Sequence, residues 1–398
     1  MPDQLPTVRV GIAGLGLAGT AMLPALVKHP HIQITAVADR SGHHLSAFAR
    51  DFPAETYRTV EDLCESISVD AVYIATPTHL HKEHALVAAA HRKHILVEKP
   101  LCITLEDADE MIAAVERNGV QMVVGHSHSF DPPIRKMREI IRSGLLGRVR
   151  MINSWYFTDW LYRPRLPEEL DTRQGGGVTI RQGAHQFDII RYLGGGLIRS
   201  VRAMTGAWDR TRPTEGSHVA FLEFEDETAA TAVYSGYDHF HSMELTGIGE
   251  AGEVARPGPY ASARMALRRA APGNGEATLK RAVGFAGEQE RALEGQGHQP
   301  FFGLLIVSCE HGDLRQSADG VLVYGDERKW EVPLSADETP RDAVVAEFYD
   351  AILRGRPTLH NGRWAKATLE VCLAVLNSAH ERREIMLAHQ TAVLNETS

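Results

Sequence analysis

Cysteine is scarce and scattered: Cys64, Cys102, Cys309 and Cys372 are the four in 398 residues, and no two share a CxxC spacing. That excludes a disulfide framework or a cysteine zinc site and fits thiols kept reduced in a cytoplasmic protein. Histidine is plentiful at 20, yet none stands in an HExxH context, so no metal is expected. No apolar run approaches the roughly 18 residues that a membrane span needs. The opening MPDQLPTVRVGIAG has no basic stretch ahead of an apolar one, so export is not expected. Positive charge is also short, with 42 Lys and Arg against 51 Asp and Glu and a net charge of −9. A general nucleic-acid binder carries the opposite balance. Any anionic ligand must then be captured by local cations.

The length allows two domains, and 43% apolar with 23% charged content is that of an ordinary globular chain. The first 125 residues alternate apolar runs with helical stretches. Val8 to Ala13 leads into Gly14-Leu15-Gly16-Leu17-Ala18-Gly19 and a helix to about His29; Ile32 to Ala38 then ends in Asp39. In this strand–turn–helix–strand–acid order, Gly14 permits the tight turn, Gly16 admits a pyrophosphate and Gly19 packs helix on strand. Leu15 belongs to the same turn, and Asp39 accepts from the ribose hydroxyls of NAD. Arg40, next to that acid, would offset repulsion of a 2′-phosphate, which keeps NADP as an alternative. Further strands are expected at Ala71 to Thr76, Ile95 to Glu98 and Gln121 to Gly125, with helices at His81 to Ala90 and from Thr104. Such alternation predicts a doubly wound parallel sheet, an α/β fold whose ligands gather at the carboxyl ends of the strands. Thr76, Pro77, His81 and Glu98 lie at those ends and are candidate cofactor contacts.

Gln174 to Asp188 reads QGGGVTIRQGAHQFD. Ile180, Ala184 and Phe187 recur at helical spacing, and Arg181, His185 and Asp188 form the neighbouring stripe. A cation, an imidazole and a carboxylate on one face suit binding an anion and moving a proton; a solvated polar face is the alternative. Upstream, Trp155, Tyr156, Phe157, Trp160, Tyr162, Arg163, Arg165 and Arg173 form an aromatic and arginine-rich loop suited to a flat anionic ring. Beyond it come strand-like runs at Val219–Phe224, Thr231–Tyr234, Phe301–Ser308 and Val321–Tyr324. A Gly/Pro/Ala/Arg-rich insertion at about 250–299 is basic, with seven Lys/Arg against three Glu between Arg256 and Arg291. Its default reading is a solvated excursion. Helices around Arg341–Leu353 and Arg363–His380 finish the chain.

Four motifs together resemble the Gfo/Idh/MocA oxidoreductase family: Gly14 to Gly19, Ala75-Thr76-Pro77-Thr78-His79-Leu80-His81, Glu98-Lys99-Pro100, and Gly175 to Asp188. The resemblance runs nearly the whole length. It implies an NAD-binding Rossmann domain over 1–127 and a substrate-binding α/β domain over 128–398. The second domain is expected to hold a large, mostly antiparallel open sheet through which a homodimer or homotetramer assembles. It also implies that Lys99 positions the reacting carbon and tunes proton transfer. The family's second signature has Asp before x-Gly-x-His; here His185 is kept and Arg181 stands at the Asp position. A second departure falls at Gly125 to Phe130, where relatives carry Arg near Ser129 and this chain has His126 and His128. Arginine only donates, so it suits a substrate carboxylate better than a polyol, and it disfavours protonation of His185 and Lys99.

The run from Tyr156 through Leu193 is similar to a branch of this family, the bacterial phthalate cis-4,5-dihydrodiol dehydrogenases. That similarity implies NAD-dependent oxidation of 4,5-dihydro-4,5-cis-dihydroxyphthalate to 4,5-dihydroxyphthalate, a step in phthalate degradation. Lys99 and His185 are then the catalytic candidates, with Arg181, His126, His128, Trp160, Tyr162 and Asp188 around the substrate; Asp188 either steadies His185 or pairs elsewhere. Two other readings stay open: a sugar, sugar-acid or inositol dehydrogenase of the same family, and a non-catalytic NAD-sensing regulator.

Overall fold

The first apolar run becomes a strand with its expected bounds, β1 (Val8–Ala13), followed by helix α1 (Leu17–Lys28) and β2 (Ile32–Ala38). In the computed structural model, which describes residues 5–254, 259–269, 275–281, 284–285, 297–335 and 337–394, the alternation then continues. Helix α2 (Gly42–Asp51), β3 (Glu55–Tyr57), α3 (Val60–Glu65), β4 (Ala71–Ile74) and α4 (His81–Ala90) follow in order. Next come β5 (His94–Glu98), α5 (Leu105–Asn118) and β6 (Met122–Gly125). The six strands pair in parallel in the order β3-β2-β1-β4-β5-β6. Their interior is continuous Val, Ile and Ala, as a sheet covered on both faces requires. Strand β4 stops short of Thr76, because Pro77 lacks an N–H and holds the residue before it away from helix. Thr104 starts α5 as expected, its hydroxyl accepting from the Asp107 N–H at 3.1 Å.

The second sheet has nine strands in the order β14-β13-β12-β11-β7-β10-β9-β8-β15. Helix α6 (Pro132–Arg142) precedes β7 (Val149–Phe157). The glycine segment leads into α7 (Gly177–Arg181) and α8 (Gly183–Gly194), which divide at Gln182 where one continuous helix was expected. Strands β8 (Ile198–Gly206), β9 (Ser217–Phe224) and β10 (Ala229–Ser235) come next. Short helices α9 (Met243–Thr246), α10 (Ser262–Arg269) and α11 (Gly275–Arg281) precede β11 (Leu304–Cys309), β12 (Gly312–Gln316), β13 (Gly320–Gly325) and β14 (Lys329–Pro333). Helices α12 (Pro340–Arg354) and α13 (Gly362–Glu381) and the edge strand β15 (Ile385–Met386) end the chain. Only β7 and β10 pair in parallel; every other pairing is antiparallel.

One face of this second sheet is buried through Ile152, Ser154, Tyr156, Leu222 and Tyr234. The opposite face exposes Met151, Trp155, Met204, Val219 and Phe221, which the strand alternation places together.

Two compact units result: 1–126 with 278–291 and 341–366, and 127–277 with 292–340 and 367–398. The sequence boundary, which placed both segments in the second domain, differs from this over 278–291 and over the longer segment 341–366. That segment is tied to the first unit by Lys28–Asp342 at 2.7 Å, by the Tyr349 hydroxyl donating to the Pro6 carbonyl, and by Lys366–Asp109 at 2.7 Å. Contacts far apart in sequence decide this, and helical periodicity carries no information about them.

The basic insertion is anchored, contrary to the solvated excursion expected. Glu276 of α11 accepts from both Nη1 and Nη2 of Arg212, at 2.9 and 2.8 Å, and from the Arg165 N–H at 2.7 Å. The ends of the insertion at Arg256 and Arg291 lie outside the described residues. Among the described residues no helix is long and apolar enough to cross a membrane, and no group of His, Cys, Asp and Glu could hold a metal ion.

Candidate active site

In the first unit the glycine turn forms a cradle. Gly14 has φ +99°, and a side chain there would sit 2.9 Å from the Ala75 carbonyl oxygen. A Cβ on Gly19 would meet the Gly14 carbonyl oxygen at 2.0 Å, while above Gly16 nothing lies within 4 Å. Two positions thus admit only glycine, and the third leaves open backbone for a pyrophosphate at the start of α1. Asp39 closes the turn: its Oδ2 accepts from the Leu15 N–H and its Oδ1 from the Ser41 N–H, both at 2.7 Å. Arg40 lies beside it, its carbonyl accepting from Arg58. These residues fit NAD, which when bound supplies the hydride acceptor.

The carboxyl ends of β4 and β5 are tied by one side chain. His81 is buried, with Nε2 2.8 Å from the Thr76 carbonyl oxygen and Nδ1 3.0 Å from that of Pro100. His81 thereby joins the two loops that carry Thr76–Pro77 and Lys99. Glu98 accepts from the buried Tyr73 hydroxyl at 2.7 Å and from the Lys99 N–H at 3.3 Å. Burial and the Glu98 carboxylate push the Tyr73 phenol well above its usual range. His126 also belongs to this unit, buried with its ring centroid 6.4 Å from that of His360.

In the second unit His185 sits in the first turn of α8, among rings. Its centroid is 4.6 Å from His128, edge-on at 80°, and 5.4 Å from Phe302. His128 is held by Asp131, Nδ1 to Oδ2 at 3.0 Å. Behind α8 a buried chain fixes the helix to the sheet. The Gln186 amide nitrogen donates to Ser154 Oγ at 2.9 Å, so its oxygen accepts from His218 Nε2, also at 2.9 Å. His218 Nδ1 is left to accept from the Thr179 hydroxyl at 3.3 Å. Burial pushes the His218 imidazole down to about 3, which keeps it neutral in this role. Gly177 opens α7 at φ +82° with Glu215 so close that a Cβ would lie 2.0 Å from its Oε1. Glu215 in turn accepts from the Thr172 hydroxyl at 2.5 Å, and burial raises its carboxyl.

Arg181, at the end of α7, faces Glu169 across 4.0 Å. Glu169 also accepts from Arg165 at 3.2 Å and from the Leu166 N–H at 2.8 Å. Burial depresses both arginines, Arg165 to about 10, with Glu169 opposing the shift in each. The guanidinium of Arg165 lies 3.8 Å over the Trp160 ring and donates to the Trp160 carbonyl. Tyr162 donates to Asp209 at 2.8 Å. Within the aromatic loop, Trp160 thus supports Arg165 and Tyr162 is tied to Asp209.

Asp188 pairs elsewhere, one of the two roles expected of it. It is fully buried and accepts from the Thr368 hydroxyl at 3.4 Å, and that hydroxyl accepts from Arg191 at 2.7 Å. A carboxylate three residues after His185 is turned into the core because Arg191, one turn further, needs a counter-charge there. Sequence reading missed Asp131, Glu169, Gln186 and His218. Of these, Asp131 and Glu169 had a local signal, the i+3 spacing from His128 and the i+4 spacing from Arg165.

Comparison with known proteins decides the family. Residues 8–126 match the oxidoreductase family model of NAD-binding Rossmann fold, and residues 134–255 match the Gfo/Idh/MocA C-terminal domain. The chain belongs to the Gfo/Idh/MocA oxidoreductases. It is 39% identical to a 1-carboxy-3-chloro-3,4-dihydroxycyclohexa-1,5-diene dehydrogenase of Comamonas testosteroni, over 97% of this chain and 98% of that relative. A solved structure from Bordetella bronchiseptica RB50, assigned as a dehydrogenase, superposes with a TM-score of 0.90 at 44% identity, covering 96% of this chain and 100% of the other. Levoglucosan dehydrogenase in complex with NADH and levoglucosan shares the fold, with a TM-score of 0.72 at 17% identity over 96% and 99% of the two chains. This Gfo/Idh/MocA member is an NAD-dependent dehydrogenase acting on CH–OH groups.

Proposed function

We propose that this dehydrogenase oxidises a carboxylated cis-dihydrodiol of a cyclohexadiene to the corresponding catechol, and specifically 4,5-dihydro-4,5-cis-dihydroxyphthalate to 4,5-dihydroxyphthalate in phthalate degradation. The observation that carries this reading is Arg181. It stands where the family usually has an acid, in one cluster with a second buried arginine, Arg165, and a single carboxylate between them. A guanidinium offers a ring carboxylate two parallel charge-assisted N–H donors, whereas it gives the hydroxyls of a neutral polyol no acceptor. The Comamonas relative is named for a ring diol of that class, carrying one carboxylate.

In the proposed reaction Arg181 holds the substrate carboxylate and His185 takes the hydroxyl proton as the carbinol hydride departs. Lys99 orients the reacting carbon. The ketone then tautomerises, and aromatisation makes the oxidation favourable. The Gly14–Gly19 cradle and Asp39 select NAD. We further propose a cytoplasmic homodimer or homotetramer assembled through the open face of the β7–β10 sheet. No disulfide joins the four cysteines, which supports the compartment.

The test is NADH formation by the purified enzyme with the phthalate cis-dihydrodiol, the chlorinated monocarboxylate diol, myo-inositol and a uronic acid, each offered alone. Turnover of the phthalate diol above the others is expected. Turnover of inositol or the uronic acid alone would replace this reading with a polyol or sugar-acid dehydrogenase, and NAD binding without turnover of any would leave a sensor. Preference for the chlorinated diol would keep the class and correct the substrate.

A further inference from the structure

Oxidising a cis-dihydrodiol to a catechol makes two separate demands for a base, and the second unit contains two imidazoles in contact. The first demand is the hydroxyl proton lost with the hydride. The second comes afterwards, when the new ketone stands next to a carbon that still carries one hydrogen and one hydroxyl. Aromatisation removes that C–H proton and puts a proton on the ketone oxygen.

His185 is 5% exposed, closed in by His128 at 4.6 Å and Phe302 at 5.4 Å. His128 is more open, its side chain 15% exposed, and a carboxylate orients it, with Nδ1 3.0 Å from Oδ2 of the buried Asp131. That carboxylate accepts, so Nδ1 carries the hydrogen and the lone pair of the neutral ring is on Nε2. Phe302 packs on His128 at 4.4 Å and fixes the ring plane. Nε2 faces the side where half-exposed Glu250 lies, 3.9 Å away, and Glu250 is matched by Arg163 at 3.6 Å. An imidazole oriented through Nδ1 by a carboxylate, with Nε2 left as the proton acceptor, is the arrangement a general base requires.

Resting on the function proposed above, we propose that His128, oriented by Asp131, is a second acid–base residue of the substrate site and carries the proton shift that aromatises the ketone. Nε2 of His128 takes the C–H proton; the C–H electron pair becomes a ring C=C bond; the carbonyl π pair moves to oxygen, which takes back the proton held by His185. The proton on His128 passes to water. Diol and NAD leave as catechol, NADH and one proton, so atoms and electrons balance. Asp131 is a positioning residue in this scheme.

Stopped-flow recording of NADH and catechol absorbance separately tests it on the intact enzyme with the phthalate diol. In the wild-type protein the two signals rise together. In His128→Asn and in Asp131→Asn, NADH still forms but catechol lags, its rate constant falling about a hundredfold or to that of the ketone left alone in buffer. Asp131→Asn keeps the start of α6, which rests on the Asp131 backbone carbonyl accepting from Ile134 and Arg135. Coincident signals in both variants, or a lag already present in the wild type, would overturn the assignment. Absence of NADH from any carboxylated diol in the wild type would instead remove the functional reading beneath it. A variant that loses NADH formation and folding together leaves the wild-type coincidence to decide.

Discussion

Arg181 and Glu169 face each other at 4.0 Å inside the second unit, a guanidinium that burial makes costly beside a carboxylate that holds it charged. The same Glu169 is hydrogen-bonded to Arg165 at 3.2 Å. Glu169 thus serves both arginines, and together with Glu168 it holds Arg181 charged for the carboxylated substrate proposed above.

Arg181→Gln removes the charge but not the size of the side chain. Loss of one charge-assisted contact costs about 2 kcal/mol, roughly a thirtyfold rise in KM for the carboxylated diol with KM for NAD unchanged. Gln is preferable to Asp because an acid at this position would stand against Glu169. Equal effects on both KM values in steady-state kinetics would show that Arg181 acts through the fold and not on the substrate.

Asp39 spends each carboxylate oxygen on one backbone N–H, at Leu15 and Ser41, and keeps further lone pairs for ribose hydroxyls. Asp39→Asn retains an acceptor and removes the charge that repels a 2′-phosphate. The ratio of kcat/KM for NADP over NAD should rise about tenfold, or about 1.4 kcal/mol. An unchanged ratio would place cofactor selection elsewhere.

His218 is held neutral by burial, its folded value near 3 lying well below the ordinary imidazole value. The unfolded chain therefore binds a proton that the native state refuses once the pH drops below about 6.5. Stability from this site is complete above that pH and is lost as the pH falls toward 3, at about 1.4 kcal/mol per unit. Thermal melts of His218→Gln between neutral pH and pH 4 should show a shallower acid dependence than the wild type. Parallel curves would mean that other groups set the acid limb.

Trp155 and Phe221 stand 48% exposed on one sheet face, an unusual amount of aromatic surface for a protein alone in solution. If copies of the chain assemble there, Trp155→Glu and Phe221→Glu should each shift sedimentation equilibrium toward the monomer while leaving the melting curve of the monomer intact. A wild-type protein that sediments as a monomer would rule out the interface.

The sequence by itself determined the first sheet almost residue by residue, because parallel strands buried on both faces are written as unbroken apolar runs and the glycine turn is dictated by local backbone geometry. The bounds of β1, β2 and α4 match the expected ones for that reason. It also marked His185 and Arg181, whose departure from the family pattern is visible without coordinates. Tertiary structure alone decided what the polar side chains do. Asp188 and His81 are turned to internal partners, Trp160 supports Arg165, Tyr162 donates to Asp209, and Asp131, Glu169 and His218 become partners of residues they do not resemble a motif with. Helical spacing says which side of a helix a carboxylate lies on. Whether water, substrate or another buried charge waits on that side depends on what the rest of the chain brings there.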